Sequence, residues 1–197
     1  MTCRLSVAPP VARLYKSGST PENTRPMSIF LIGYRGSGKS TVGRKLADRL
    51  WQPFIDTDDV VVQKAGKTIG EIFAQDGEAR FRELEAEAVR EVCRLEEHVI
   101  SLGGGSLLRQ ENRDAIKGSG GKLVYLKCDP EELAKRIAAD PMSQESRPPL
   151  TGYGGGVEEI RQLLAVREPI YREMKHAELD VTYLTPDDVV VYVVRLL

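Results

Sequence analysis

Cysteine is scarce in this chain. Cys3, Cys93 and Cys128 are odd in number and far apart, with no C-x-x-C pair and no histidine cluster nearby. Neither a disulfide framework nor a zinc site can be built on that spacing, and a reducing, cytoplasmic compartment is the expectation. Long apolar runs are missing as well. None approaches the ~20 residues that a bilayer-crossing helix needs, and no compact apolar core follows the first basic residues as a secretory signal would require. An excess of charge of one sign is also absent: 28 Lys and Arg against 29 Asp and Glu leave a net charge of -1, which gives no reason to expect a nucleic-acid partner. No internal repeat or low-complexity tract is found.

What remains is the make-up of a globular protein, 41% hydrophobic and 29% charged, whose 197 residues suffice for one domain with a real core. Residues 1–26 stand apart, with Arg4, Arg13, Lys16 and Arg25 against Glu22 alone and with Ser, Thr and Pro throughout. They read as a disordered extension. An organellar transit peptide and a dispensable leader ahead of a start at Met27 are its two explanations. Residues 27–197 read as the single domain.

From Ser28 the pattern alternates. The short apolar runs SIFLIG, PFID, HVISL, KLVYL and LDVTYL are each followed by Gly, Asp or Pro and then by a helical stretch, the first from Lys39 to about Leu50 with Val42, Leu46 and Leu50 on one face. Strands alternating with helices imply a parallel sheet covered on both faces, with right-handed crossovers and ligands gathered at the carboxyl ends of the strands.

GYRGSGKST, residues 33–41, leaves the first of these strands and enters the first helix. Gly33, Gly38, Lys39 and Ser40 satisfy G-x-x-x-x-G-K-[ST] in the context that gives the pattern its meaning, a loop of backbone N–H groups aimed at phosphate oxygens at a helix N-terminus. Lys39 suits the β- and γ-phosphates, and the Ser40 hydroxyl suits Mg²⁺. The bland alternative is a Gly-rich turn that binds nothing.

The acceptor side must come from the ends of other strands. FIDTDD places Asp56 and Asp58 at the ligand edge, one carboxylate for hydrated Mg²⁺ and one to orient and deprotonate a hydroxyl; helix capping is the alternative, and Asp59 suits it better. Gly103, Gly104 and Gly105 leave backbone N–H groups bare for a small ligand, although a flexible loop would read the same. In GEARFRELEAEAV, Phe81, Leu84 and Ala88 share a core face, and Arg82 and Glu85 are flank neighbours. Either this is an exposed ion pair of little value or Glu85 holds a guanidinium to grip a carboxylate. Arg147 lies in a Pro- and Gly-rich segment without periodicity, the pattern of an active-site lid of about residues 140–157. Arg167 follows a helical run of Ile160, Leu163 and Leu164 and reads equally well as a surface residue.

Together, GYRGSGKST, DTD at 56–58, FRELE at 81–85, GGG at 103–105, RPPL at 147–150 and REPIY at 167–171 resemble the shikimate kinases in order and spacing from about residue 28 onward. The resemblance implies ATP- and Mg²⁺-dependent phosphorylation of the 3-hydroxyl of shikimate, in the pathway through chorismate to the aromatic amino acids. It also implies an α/β three-layer P-loop kinase fold, with a five-stranded parallel sheet in order 2-3-1-4-5 and a mobile lid, and a monomer with no nucleic-acid or membrane partner. Carried over residue by residue, Asp58 is the base, with Lys39 and Arg147 the other catalytic groups. Ser40 and Asp56 serve Mg²⁺, and Gly33, Gly36, Ser37, Gly38, Lys39, Ser40 and Thr41 hold the phosphates with Arg147. Arg136, Thr185 and Pro186 flank the adenine. Arg82 and Arg167 clamp the shikimate carboxylate, with Gly103, Gly104 and Gly105 lining the same pocket. Pro149 departs from the leucine usual in the lid motif. A gluconate or nucleoside monophosphate kinase is the nearest other enzyme, and a nucleotide-binding regulatory module without catalysis is a different class of protein.

Overall fold

The computed structural model describes residues 27–140 and 156–197. Residues 1–26, and Arg147 and Pro149 with most of the expected lid, lie outside the described residues. In chain order the elements are β1 (Ile29–Ile32), α1 (Lys39–Leu50), β2 (Phe54–Asp56), α2 (Thr57–Ala65), α3 (Ile69–Gln75), α4 (Gly77–Val92), β3 (Val99–Ser101), a 3-10 turn (Ser106–Leu108), α5 (Gln110–Ser119), β4 (Lys122–Lys127), α6 (Pro130–Ala139), α7 (Val157–Met174), β5 (Ala177–Asp180) and α8 (Pro186–Leu196).

The residues of β1, IFLI, are all buried, so this strand has to lie inside a covered sheet. It pairs in parallel with β3 on one side and β4 on the other, and the full order is β2-β3-β1-β4-β5, as expected. Helices lie on both sides of the sheet: α1 packs beside α8, α4 beside α5, and α6 beside α7. Val42 and Leu46 of α1 are buried as their spacing requires, and Leu50 is half-buried. A second, smaller core of Val61, Ile69, Ile72, Phe81, Leu84 and Ala88 ties α2, α3 and α4 together. Each large side chain there contributes roughly 1.5–3 kcal/mol, which fixes the helix that carries Arg82.

Three local expectations change. Asp56, not Asp59, caps α2, accepting the Asp58 N–H; the last strand residue already faces the first orphan donors of the helix, whereas Asp59 lies one turn too late. The last strand covers Ala177–Asp180 rather than the whole of LDVTYL. Asp180 Oδ1 accepts both the N–H and the hydroxyl of Thr182, turning the chain out of the sheet. Finally, Arg167 does not follow the helical run of Ile160, Leu163 and Leu164 but lies within it, since α7 runs through Pro169 to Met174. Burial of Leu164, Tyr171 and Met174 on its inner face offsets the backbone bond that proline removes.

Candidate active site

The phosphate loop begins at Gly33, where φ is +147° and a Cβ would stand 2.7 Å from the Leu126 carbonyl oxygen of β4, so no side chain fits. Gly36 and Gly38 continue the turn into the N-terminus of α1. Lys39 is buried and donates from Nζ to the carbonyls of Gly33 at 3.0 Å and Tyr34 at 2.9 Å, which fixes its charge across the mouth of its own loop. A cleft of about 760 Å³ opens there. Residues 35–41, Asp56 and Asp58 line it on one side, and Arg136 and Pro186 on the other. Arg136 is anchored by Glu132 and by the carbonyls of Val181 and Thr182, and Thr185 caps α8 directly ahead of Pro186. Of the residues expected to bind nucleotide, Gly36, Ser37, Gly38, Lys39, Ser40, Thr41, Arg136 and Pro186 share this cavity, whereas Gly33 and Thr185 lie outside its lining and Arg147 outside the described residues.

Ser40 Oγ donates to Asp56 Oδ2 at 2.6 Å while Oδ1 holds the Asp58 N–H at 3.0 Å. Two oxygens fixed this close together fit Mg²⁺, which takes few protein ligands and keeps waters and phosphate oxygens. Among the described residues no cluster of three or more His, Cys, Asp or Glu forms a dedicated metal cage.

The glycine triplet after β3 is where the two halves meet. A Cβ on Gly103 would lie 3.0 Å from Asp58 Oδ1 and from Glu85 Oε1; one on Gly104 would lie 3.4 Å from the Gly33 carbonyl oxygen and 3.7 Å from Arg167 Nη1; one on Gly105 would lie 2.7 Å from Arg82 Nη1. A side chain at Gly103 or Gly105 would press on Asp58, Glu85 and Arg82, whereas one at Gly104 would meet the phosphate loop and Arg167 at ordinary contact distance. Gly105→Ala should therefore displace Arg82 and raise KM for the carboxylate-bearing acceptor about tenfold, the loss of one charge-assisted contact, with ATP affinity much less affected. An equal rise for both substrates in steady-state kinetics would contradict this.

The two arginines are held in opposite ways. Arg82 donates to the buried Glu85 at 2.9 Å and to Glu78 at 3.1 Å and 3.2 Å. Burial opposes its charge, but Glu85 and Glu78 prevail and hold its pKa above the usual value. Glu85 is in turn fixed by Ser106 Oγ, and the Ser106 carbonyl by Asn112. Arg167 is only 6% exposed, yet no carboxylate among the described residues pairs with it. Its Nη1 makes one long bond, 3.4 Å, to the Gly104 carbonyl, and its Nε has no partner. A buried guanidinium in this state retains the capacity to take an anion.

Three contributors escaped the sequence. Thr57 is fully buried and staples the triplet, accepting the Gly103 N–H at 2.9 Å and donating to the Ser101 carbonyl. Tyr171 donates its hydroxyl to the Gly104 carbonyl, and burial pushes its pKa up to about 12, so it stays a donor. Tyr34 lies against Arg167. Tyr171 and Arg167 are one turn apart on α7, a spacing that signals a shared face; nothing in the sequence marks Tyr34 or Thr57.

Known proteins share the sequence pattern and the fold of this chain. Residues 35–197 match the family described as shikimate kinase. The chain is 39% identical over 174 residues to shikimate kinase of Rhodopirellula baltica, covering 88% of this chain and 92% of that one. It is 45% identical over 152 residues to that of Oleidesulfovibrio alaskensis, covering 77% and 87%. Among solved structures, shikimate kinase from Acinetobacter baumannii in complex with shikimate is similar with a TM-score of 0.80 and 34% identity, over 88% of this chain and 93% of that one. A gluconokinase from Sinorhizobium meliloti has a TM-score of 0.54 at 21% identity over 88% and 93% of the two chains, a likeness of fold alone.

Proposed function

The chain belongs to the shikimate kinase family, and on that premise we propose how its own residues divide the work of ATP-dependent phosphorylation of the 3-hydroxyl of shikimate, a step of aromatic amino-acid biosynthesis. The buried, unpaired Arg167 beside the Gly104 carbonyl carries the reading, because it asks for a carboxylate next to the phosphate loop. Shikimate is a carboxylate with several hydroxyls. Arg82 and Arg167 grip its carboxylate, and Asp58, at the junction of cleft and triplet, orients the hydroxyl and takes its proton. Phosphoryl transfer asks mainly for alignment and charge neutralisation. On the donor side the loop N–H groups and Lys39 hold the phosphates, Arg136 and Pro186 flank the base, and Ser40 and Asp56 hold Mg²⁺, which supplies neutralisation of the β- and γ-oxygens when bound. Arg147 is assigned to the transferred phosphoryl group on sequence alone. No described helix is long and apolar enough to cross a membrane, and a cytoplasmic monomer is part of the same proposal.

A coupled assay for ADP release tests the reading with shikimate, gluconate and AMP as acceptors. Turnover is expected with shikimate, as in the family, and near background with the other two: gluconate also offers a carboxylate and hydroxyls but on an open chain rather than a ring, and AMP carries a phosphate in place of the carboxylate. Comparable rates with gluconate or AMP would overturn the acceptor assignment, and ATP binding without turnover on any acceptor would return the protein to a regulatory role.

A further inference from the structure

Arg167 raises a physical problem that its partners only partly solve. A guanidinium that is 6% exposed, with no ion-pair partner among the described residues and a single long bond from Nη1, ought to swing toward water or draw water in. What lies against it is an aromatic face: the guanidinium carbon sits 5.4 Å from the centroid of the Tyr34 ring. Tyr34 is itself 4% exposed, so this contact is shielded from solvent, where cation–π attraction is strongest. Burial raises the pKa of its hydroxyl, although Arg167 and Arg35 pull it down, so the ring is neutral and its face rather than a phenolate meets the cation.

Tyr34 also belongs to the phosphate loop. Its carbonyl accepts Lys39 Nζ at 2.9 Å, so one residue touches the donor-side cation through its backbone and the acceptor-side cation through its ring. The rest of the Arg167 setting is polar backbone and a hydroxyl, Gly104 and Tyr171, neither of which fixes the plane of the guanidinium as a ring face does.

We propose that Tyr34 is a positioning residue for the acceptor, its ring holding the Arg167 guanidinium charged and oriented in the site before the carboxylate of the substrate arrives. The proposal rests on the assignment of Arg167 to that carboxylate. The ring does the positioning and the hydroxyl is dispensable. Removing the ring lets Arg167 sample other rotamers, and the acceptor must then select the competent one, which weakens its binding in proportion to the population lost.

The test is steady-state kinetics with both substrates varied, on Tyr34→Leu, Tyr34→Phe and Arg167→Ala, with thermal unfolding as a check of folding. Tyr34→Leu should raise KM for shikimate about tenfold while KM for ATP rises no more than about twofold, and Tyr34→Phe should restore the parent value. If Tyr34→Leu does not fold, Tyr34→Met, longer and more adaptable at the same volume, still lacks an aromatic face and should give the same split. An unchanged shikimate KM in Tyr34→Leu, an equal rise in both KM values, or a Tyr34→Phe variant as impaired as Tyr34→Leu would each overturn the proposal while Arg167→Ala still shows the carboxylate grip. An unchanged shikimate KM in Arg167→Ala would instead overturn the acceptor assignment on which the proposal stands.

Discussion

Asp58→Ala should lower kcat by about a hundredfold to ten-thousandfold, the usual range for loss of a positioned general base, with a much smaller change in KM for shikimate. Asp58 is placed for that role by three constraints. The cap at Asp56 fixes the start of α2, the small core of α2, α3 and α4 fixes its direction, and bare Gly103 lets the carboxylate approach the triplet. Asp58→Asn separates the two parts of the role, because an amide keeps a hydrogen-bond acceptor at Oδ1 yet cannot take a proton at neutral pH. Turnover in Asp58→Asn should stay close to that of Asp58→Ala. If either variant keeps the parent kcat, Asp58 is not the base.

The second large effect belongs to Arg167. Its replacement by alanine removes a desolvated charge from the site of the substrate's carboxylate, a loss on the order of 2–5 kcal/mol, or about thirtyfold to several-thousandfold in shikimate affinity. Calorimetric titration should show this loss with ATP binding nearly intact, and a change within about twofold would remove Arg167 from the acceptor site. Stability should move differently from that of a usual buried residue. Because no carboxylate among the described residues depends on Arg167, its removal strands no opposite charge, and Tm should hold or rise. Arg82→Ala should show the reverse balance: it leaves Glu85, 3% exposed in its side chain, without its cation, so Tm falls along with shikimate binding.

The strand–loop–helix around residues 33–41 was legible because pattern and context coincide there, and the parallel sheet because apolar runs alternate with helical periods. Arg82 with Glu85 was legible from helical spacing alone. Arg167 was not: its burial comes from α7 crossing the triplet, a long-range packing event that the residues around it do not announce. Tyr34 is undecidable in sequence for a related reason. The loop pattern leaves its position unrestricted, and only the approach of a helix more than a hundred residues later gives the ring something to hold. The likeness to a gluconokinase is one of scaffold alone, while the proposed acceptor contacts come from side chains on α2, α4 and α7.

The place of β1 in the sheet has a further consequence, for the order in which the protein can be built. Among the described strands, the one from which the phosphate loop hangs leaves the ribosome first, yet it is the middle one, with β3 and β4 as its neighbours. Its apolar residues have no ladder partner until β3 is made and no second one until β4 is made, and Arg167 comes later still. Non-local pairing of this kind is slow and leaves sticky strands exposed in the meantime. The nascent chain therefore carries the residues of the phosphate loop long before it has those proposed to choose where the phosphate goes, and the two become one site only once α7 has been made.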